Sequence, residues 1–221
     1  QLWMKDLQNQ YQETHKAFLH HFFGLKTKTS SPYQTNYLAA YRAENKQELE
    51  GINTILKKGL QEFGALFGFK SKSFIACNYK WPKEIEQTLY DNGIKTIQSQ
   101  RGQVMPQPNL NGKPKIKYHY TGQANNLNQI YTVRNVLFEP YENNKLDWVN
   151  KAMEDIQNAF MWGKPAIIST HRINYVSQMS VKHRNKNLND LNELLKRITK
   201  KWPRVEFMSS DELSTLMSKS T

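Results

Sequence analysis

Cysteine is almost missing from this chain: Cys77 is the only one in 221 residues. An intramolecular disulfide is therefore excluded, and the fold must rest on apolar packing, as in a reduced or intracellular-type domain. Exported proteins also do without disulfides, so the compartment stays open between a bacterial-type cytoplasm and export. No apolar run is long enough to span a bilayer, which predicts a soluble chain. There is no Gly-rich phosphate loop, no G-x-S-x-G elbow and no H-E-x-x-H, so the simplest nucleotide, serine-hydrolase and zinc-peptidase readings fall away. No solenoid-length repeat is present either. The chain opens on Gln1 instead of Met, which is read as an upstream portion removed or left out, and a signal could have gone with it.

What remains describes a globular protein. Hydrophobic residues make up 38% of the chain and aromatic residues 12%, too apolar for disorder throughout and enough for a real core. The net charge of +12 raises the question of a polyanionic partner, nucleic acid or acidic polysaccharide. The cations are scattered, which favours a solvated Lys-rich surface over a binding patch.

Along the chain, Leu2, Trp3, Leu7, Tyr11, Phe18, Leu19 and Phe22 suit one or two helices, closed by Gly24 and followed by a Ser/Thr/Lys/Pro loop over residues 26–34. Residues 37–41 read as a short buried strand. Leu49, Ile52, Ile55, Leu56, Leu60, Phe63, Leu66 and Phe67 recur at helical spacing up to Gly68. Strands are predicted over 73–77, 94–97, 130–138, 165–169 and 205–208. Helices are predicted from Pro82 to Asn92-Gly93, from an Asp147 cap through Phe160, and across Leu188 to Ile198. Ser209 with Glu212 forms a capping box for a terminal helix. Residues 98–128 read as a long, functional loop in which residues 116–120 can pair as a hairpin strand. Strand then helix, repeated about five times, predicts a single α/β domain over 1–221 with a mainly parallel sheet, barrel or open, behind a helical region at 1–34.

In such folds ligands bind beyond the carboxyl ends of the strands. There the sequence places Arg42, then Asn78, Tyr79 and Trp81, then Glu139, and finally His171, Arg172, Asn174 and Tyr175. Aromatic rings, amides and charges together suit a sugar. Taken singly, Arg42 reads as a surface or ion-pair residue, Tyr79 and Trp81 equally as core or helix-start packing and as rings that stack on a ligand, and Glu139 as an acceptor for local backbone. His171 is the exception, because an ionisable ring directly after the apolar run Pro165-Ala166-Ile167-Ile168-Ser169-Thr170 is poised for acid/base work. His15, His20 and His21 lack further ligands at zinc spacing and read as helix surface. Cys77 reads as a small buried residue. The stretch from Lys113 to Tyr120 interleaves cations with rings, as a base-stacking strand would, but no second aromatic platform accompanies it and a solvated hairpin is favoured.

At these strand ends the chain resembles the polysaccharide deacetylase-like group of (β/α) barrel proteins. The likeness runs through Ser73-Phe74-Ile75-Ala76-Cys77-Asn78-Tyr79-Lys80-Trp81-Pro82 and Gly93-Ile94-Lys95-Thr96-Ile97-Gln98. It continues through Arg134-Asn135-Val136-Leu137-Phe138-Glu139-Pro140, residues 167–175 and residues 205–213. It implies a carbohydrate-processing hydrolase that removes acetyl groups with a bound divalent metal, a carboxylate base and a late histidine that protonates the leaving group. His171 falls at that late histidine. Arg42, Asn78, Tyr79, Trp81, Arg134, Glu139, Arg172 and Asn174 would line the substrate cleft. The family's early aspartates and paired metal-binding histidines have no counterpart before Tyr37, where Asp6 is isolated. The resemblance thus implies a barrel incomplete at its amino terminus, its metal ligands in a missing amino-terminal part, and a chain inactive by itself. The alternatives are a carbohydrate-binding module without catalysis and a nucleic-acid-binding protein.

Overall fold

The computed structural model describes residues 2–23, 37–43, 45–106, 114–176 and 180–219. Gly24, the loop at 26–34 and Lys113 lie outside the described residues. By its internal contacts the chain divides into two compact units, Gln1–Tyr118 and His119–Thr221. Each is taken in turn.

The first unit opens with α1 (Leu2–Gln8) and α2 (Gln12–Leu19). Asp6, 5% exposed, accepts the hydroxyl of Tyr37, which also meets Thr14 Oγ1 at 2.8 Å. The Trp3 ring packs edge-on against Tyr37 and Phe23. The strand expected at residues 37–41 is a pair of turns instead, with Ala40 N donating to Leu38 O. Backbone groups bonded within the segment leave nothing for a ladder, and Tyr-Leu-Ala-Ala-Tyr contains no β-branched residue to favour one. The helix expected from Leu49 is α3 (Lys46–Phe67), capped by Asn45 Oδ1 accepting from Glu48 N at 2.9 Å. It ends as expected at Gly68, whose φ of 73° is the left-handed conformation glycine adopts without strain.

Then follows one βαβ unit: β1 (Ser73–Ile75), α4 (Ile85–Asp91) and β2 (Thr96–Ser99), the strands parallel with Ser73 opposite Thr96. Thr88 Oγ1 donates to Asn53 Oδ1 at 2.7 Å and ties α4 to α3. Trp81, Ile85, Leu89, Ile94 and Ile97 are fully buried. Part of the long loop expected at 98–128 is regular: β3 (Gly102–Met105) pairs antiparallel with β4 (Lys115–Tyr118), the hairpin strand read from the sequence.

The second unit begins with a tight turn held by Asn125, whose Oδ1 accepts from Leu127 N and Gln129 N. The strand expected at 130–138 divides into β5 (Ile130–Val133) and β6 (Val136–Leu137). Asn135 explains the break. Its amide donates to Pro165 O at 2.9 Å and accepts from Ile167 N at 2.7 Å, so a side chain replaces a rung of the ladder. A second βαβ unit joins β6, α5 (Trp148–Met161) and β7 (Ile168–Ser169), with β6 and β7 parallel. Asp147 caps α5, accepting from Asn150 N at 2.9 Å. Replacing Asp147 by Ala should therefore cost about 1 kcal/mol and Asp147→Asn only a few tenths, both read by thermal melting.

Beyond β7 come α6 (Ile173–Val176), α7 (Val181–Lys201) and α8 (Ser210–Lys219). Val136, Phe138, Trp148, Ala152, Ile156, Leu194 and Ile198 form the core, so α5 and α7 clamp β6. The capping box holds: Ser209 N donates to Glu212 Oε2, and Glu212 N donates to Ser209 Oγ. The Ser209 N–H, helped by the Ser209 hydroxyl donating to the same Oε2 at 2.9 Å, lowers the Glu212 carboxyl below its ordinary value. The strand expected at 205–208 does not form. Val205 N turns back onto Trp202 O, Val205 alone packs on the core, and Phe207 is exposed. The chain is thus mixed α/β with short parallel pairing, and its strands do not close a barrel among the described residues. No described helix is long and apolar enough to cross a membrane.

Candidate functional site

The parallel register of the second unit brings two distant segments together. Val136 stands opposite Ile168 and Leu137 opposite Ser169; Phe138 N donates to Ser169 O at 2.9 Å. Two residues past each strand end stand Glu139 and His171, at the carboxyl ends of neighbouring parallel strands. The Glu139 carboxylate is 2% exposed. Its Oε1 lies 2.6 Å from His171 Nδ1, and its Oε2 accepts from His171 N at 3.2 Å and from Asn174 Nδ2 at 2.8 Å. Three N–H donors thus converge on two oxygens, the surroundings of an acceptor-only carboxylate. His171 itself has a side chain 66% exposed. One ring nitrogen is anchored on a buried carboxylate while the ring stays open to solvent.

The surrounding shell is polar and satisfied. Asn174, fully buried, donates also to His171 O at 2.8 Å and accepts from Tyr141 N at 2.9 Å. Asn187, from α7, donates to Asn174 O at 3.1 Å. Thr170 Oγ1 meets the Tyr175 hydroxyl at 2.7 Å, and Arg134 Nη1 donates to Ser169 Oγ at 3.1 Å. The Tyr175 hydroxyl is pushed above its ordinary value of 10.0, chiefly by burial; the Thr170 bond opposes this and the Glu139 charge adds to it. In the first unit Tyr41 is raised too, by burial and then by Cys77. Both phenols stay neutral in the fold at a pH where the unfolded chain ionises. Their contribution to stability is complete below pH 10.0 and lost as pH rises through the folded values. Urea unfolding from neutral to strongly alkaline pH should show that decline, and Tyr175→Phe should make it shallower.

The other expected site residues fall differently. Trp81 is completely buried, its indole N–H donating to Glu86 Oε1 at 3.1 Å, so it is a core ring and not the wall of a cleft. Asn174 is likewise no substrate ligand, because it is spent inside the protein. Glu139 faces His171 and Asn174 from the interior and does not line a cleft. Asn78 and Tyr79 follow β1 in a 3-10 turn with φ of 55° and 52°. That turn, starting at Cys77, leaves the thiol exposed, where a buried residue was expected. Arg42 is half-buried and Arg172 exposed. Arg42, Asn78, Tyr79 and Trp81 belong to the first unit; Arg134, Glu139, His171, Arg172 and Asn174 belong to the second.

No family model, no curated protein and no solved structure matches the chain. The site must be read from its own chemistry. The metal that the deacetylase resemblance implies can be tested against the residues. Among the described residues no three His, Cys, Asp or Glu side chains come together to hold an ion. Asp6 is engaged with Tyr37, and His15, His20 and His21 stand exposed. Among the described residues, these four form no group that could hold an ion. Tyr141 and Asn187 had no role in the sequence reading, where Thr170 and Tyr175 stood only as neighbours of His171. Only Asn187 carried a usable signal, as a polar residue one helical turn before the apolar stripe of α7.

Proposed function

We propose that His171 is the proton-transfer residue of a carbohydrate-processing hydrolase that cleaves acetyl groups from a glycan, with Glu139 as the group that orients it. The pairing of an exposed imidazole with a buried carboxylate carries this reading. With Nδ1–H directed at Glu139, Nε2 is the nitrogen that exchanges protons outside, and the carboxylate stabilises the imidazolium formed when it does.

Water attacks the acetyl carbonyl, and the tetrahedral intermediate collapses by breaking the bond to the sugar oxygen or nitrogen. His171 Nε2 takes the proton that the attacking water gives up and passes it to the leaving sugar atom, so acetate departs and the ring returns to its starting state. His171 acts as the general acid in that collapse. The sugar is the expected partner because the resemblance points to glycan deacetylation.

The test is acetate release by the full-length protein from O- and N-acetylated oligosaccharides, with and without added divalent cations. Release of acetate that tracks protein concentration is the expected result. Glycan binding by calorimetry with no acetate released from any of these substrates overturns the hydrolase reading in favour of a binding module. A steep salt dependence of nucleic-acid binding, with no response to glycans, overturns both.

A further inference from the structure

The proton-transfer reading needs Glu139 to keep one orientation, and a carboxylate on two flexible carbons does not do so unaided. Asn174 supplies the constraint. Its two amide hydrogens go to Glu139 Oε2 and His171 O, each at 2.8 Å, and its Oδ1 accepts from Tyr141 N at 2.9 Å. Both donors are used, on the two residues of the pair, and the carbonyl is used on the segment that follows Glu139. An aspartate would set a carboxylate against Glu139, and an alanine would leave Oε2 short of a donor.

Asn174 lies on α6, described over Ile173–Val176. Asn187, 4% exposed on α7, donates to Asn174 O at 3.1 Å and ties that segment to α7. The 21-residue α7 is anchored in the core through Leu194 and Ile198. A chain of contacts therefore runs from the core through Asn187 and Asn174 to Glu139 and ends at His171 Nδ1.

Resting on the reading of His171 as the proton-transfer group, we infer that Asn174 and Asn187 are positioning residues that fix the tautomer of His171 by locking the rotation of Glu139. Neither residue touches the substrate. Their effect is read in which ring nitrogen carries the proton.

The experiment is two-bond ¹⁵N–¹H correlation NMR of the His171 ring in the whole chain, at a pH where the ring is neutral. The wild-type ring should show one tautomer, with the proton on Nδ1. Glu139→Gln should bring in the Nε2–H tautomer, and so should Asn174→Asp and Asn174→Ala. Asn187→Ala should do so to a smaller extent, because it acts one contact further away, and it carries the test if the Asn174 variants fail to fold. Amide-spectrum dispersion checks the fold of each variant. If Glu139→Gln changes the tautomer while both Asn positions leave it at the wild-type state, the positioning role is overturned and the His171–Glu139 pair stands. If Glu139→Gln changes nothing either, the pair fails and the positioning role fails with it.

Discussion

His171→Ala should lower glycan deacetylation by ~10²- to 10⁴-fold, the range that a positioned general acid contributes, while the protein stays folded. The two halves of that expectation have separate physical sources. The His171 side chain is 66% exposed, and truncating an exposed side chain usually changes stability by no more than about 0.5 kcal/mol. Glu139 loses its partner at Oε1, but Oε2 keeps the His171 backbone N–H and the Asn174 amide, and water can follow the deleted ring to the freed oxygen. Glu139→Gln should cut activity by a similar order, yet it should destabilise more. The glutamine amide nitrogen either faces the two donors at Oε2 or faces His171 Nδ1, where the ring must move its proton to Nε2 to accept it, and either outcome should cost ~1–3 kcal/mol. The pair of measurements is acetate release at saturating substrate and the urea midpoint. Equal activity in His171→Ala and wild type would remove His171 from the chemistry. Equal stability in Glu139→Gln and His171→Ala would mean that the carboxylate is not confined as its contacts require.

What could be read ahead of the structure was local. Helices α3, α5 and α8 announced themselves because their end signals are set by residues within one turn: Gly68, Asp147, and Ser209 with Glu212. The alternation of strand and helix was also legible, and it survives as the two βαβ units. Strand lengths were not, because they depend on partners. Only Ile168–Ser169 of the run at 165–169 forms ladder, and Asn135 interrupts the run at 130–138 by bonding residues some 30 positions away. The same distinction applies to the site. An ionisable ring after an apolar run pointed to His171. Its partnership with Glu139, 32 residues earlier, follows from the register of Leu137 with Ser169, which sequence spacing does not encode. Asn174 was placed among the substrate ligands because it follows the run at 165–169, at the carboxyl end of a predicted strand. The short turn of helix after His171 rotates it inward instead.

Trp81→Ala should destabilise the protein by ~3–5 kcal/mol, the range for deleting a fully buried large aromatic ring. Three observations set that size. The ring is completely buried; its N–H donates to Glu86, itself only 3% exposed; and the Trp81 carbonyl accepts from the buried Gln103 amide at 2.9 Å. Deletion leaves a cavity in a unit whose parallel strands are three and four residues long, so there is little ladder to hold the walls in place. Trp81→Phe separates the terms. It keeps most of the ring volume and removes the N–H donor to Glu86, which should cost about 1–3 kcal/mol. Against a total stability of roughly 5–15 kcal/mol for a domain, the alanine variant stands near the limit of folding and the phenylalanine variant well inside it. The alternative in which Trp81 stacks on a sugar makes the opposite forecast: near-normal urea midpoints for both variants, and a loss of glycan affinity in Trp81→Ala. Measuring both quantities on the same two variants decides between a core ring and a binding ring, since a side chain sealed from water cannot lose a contact with a ligand it never meets.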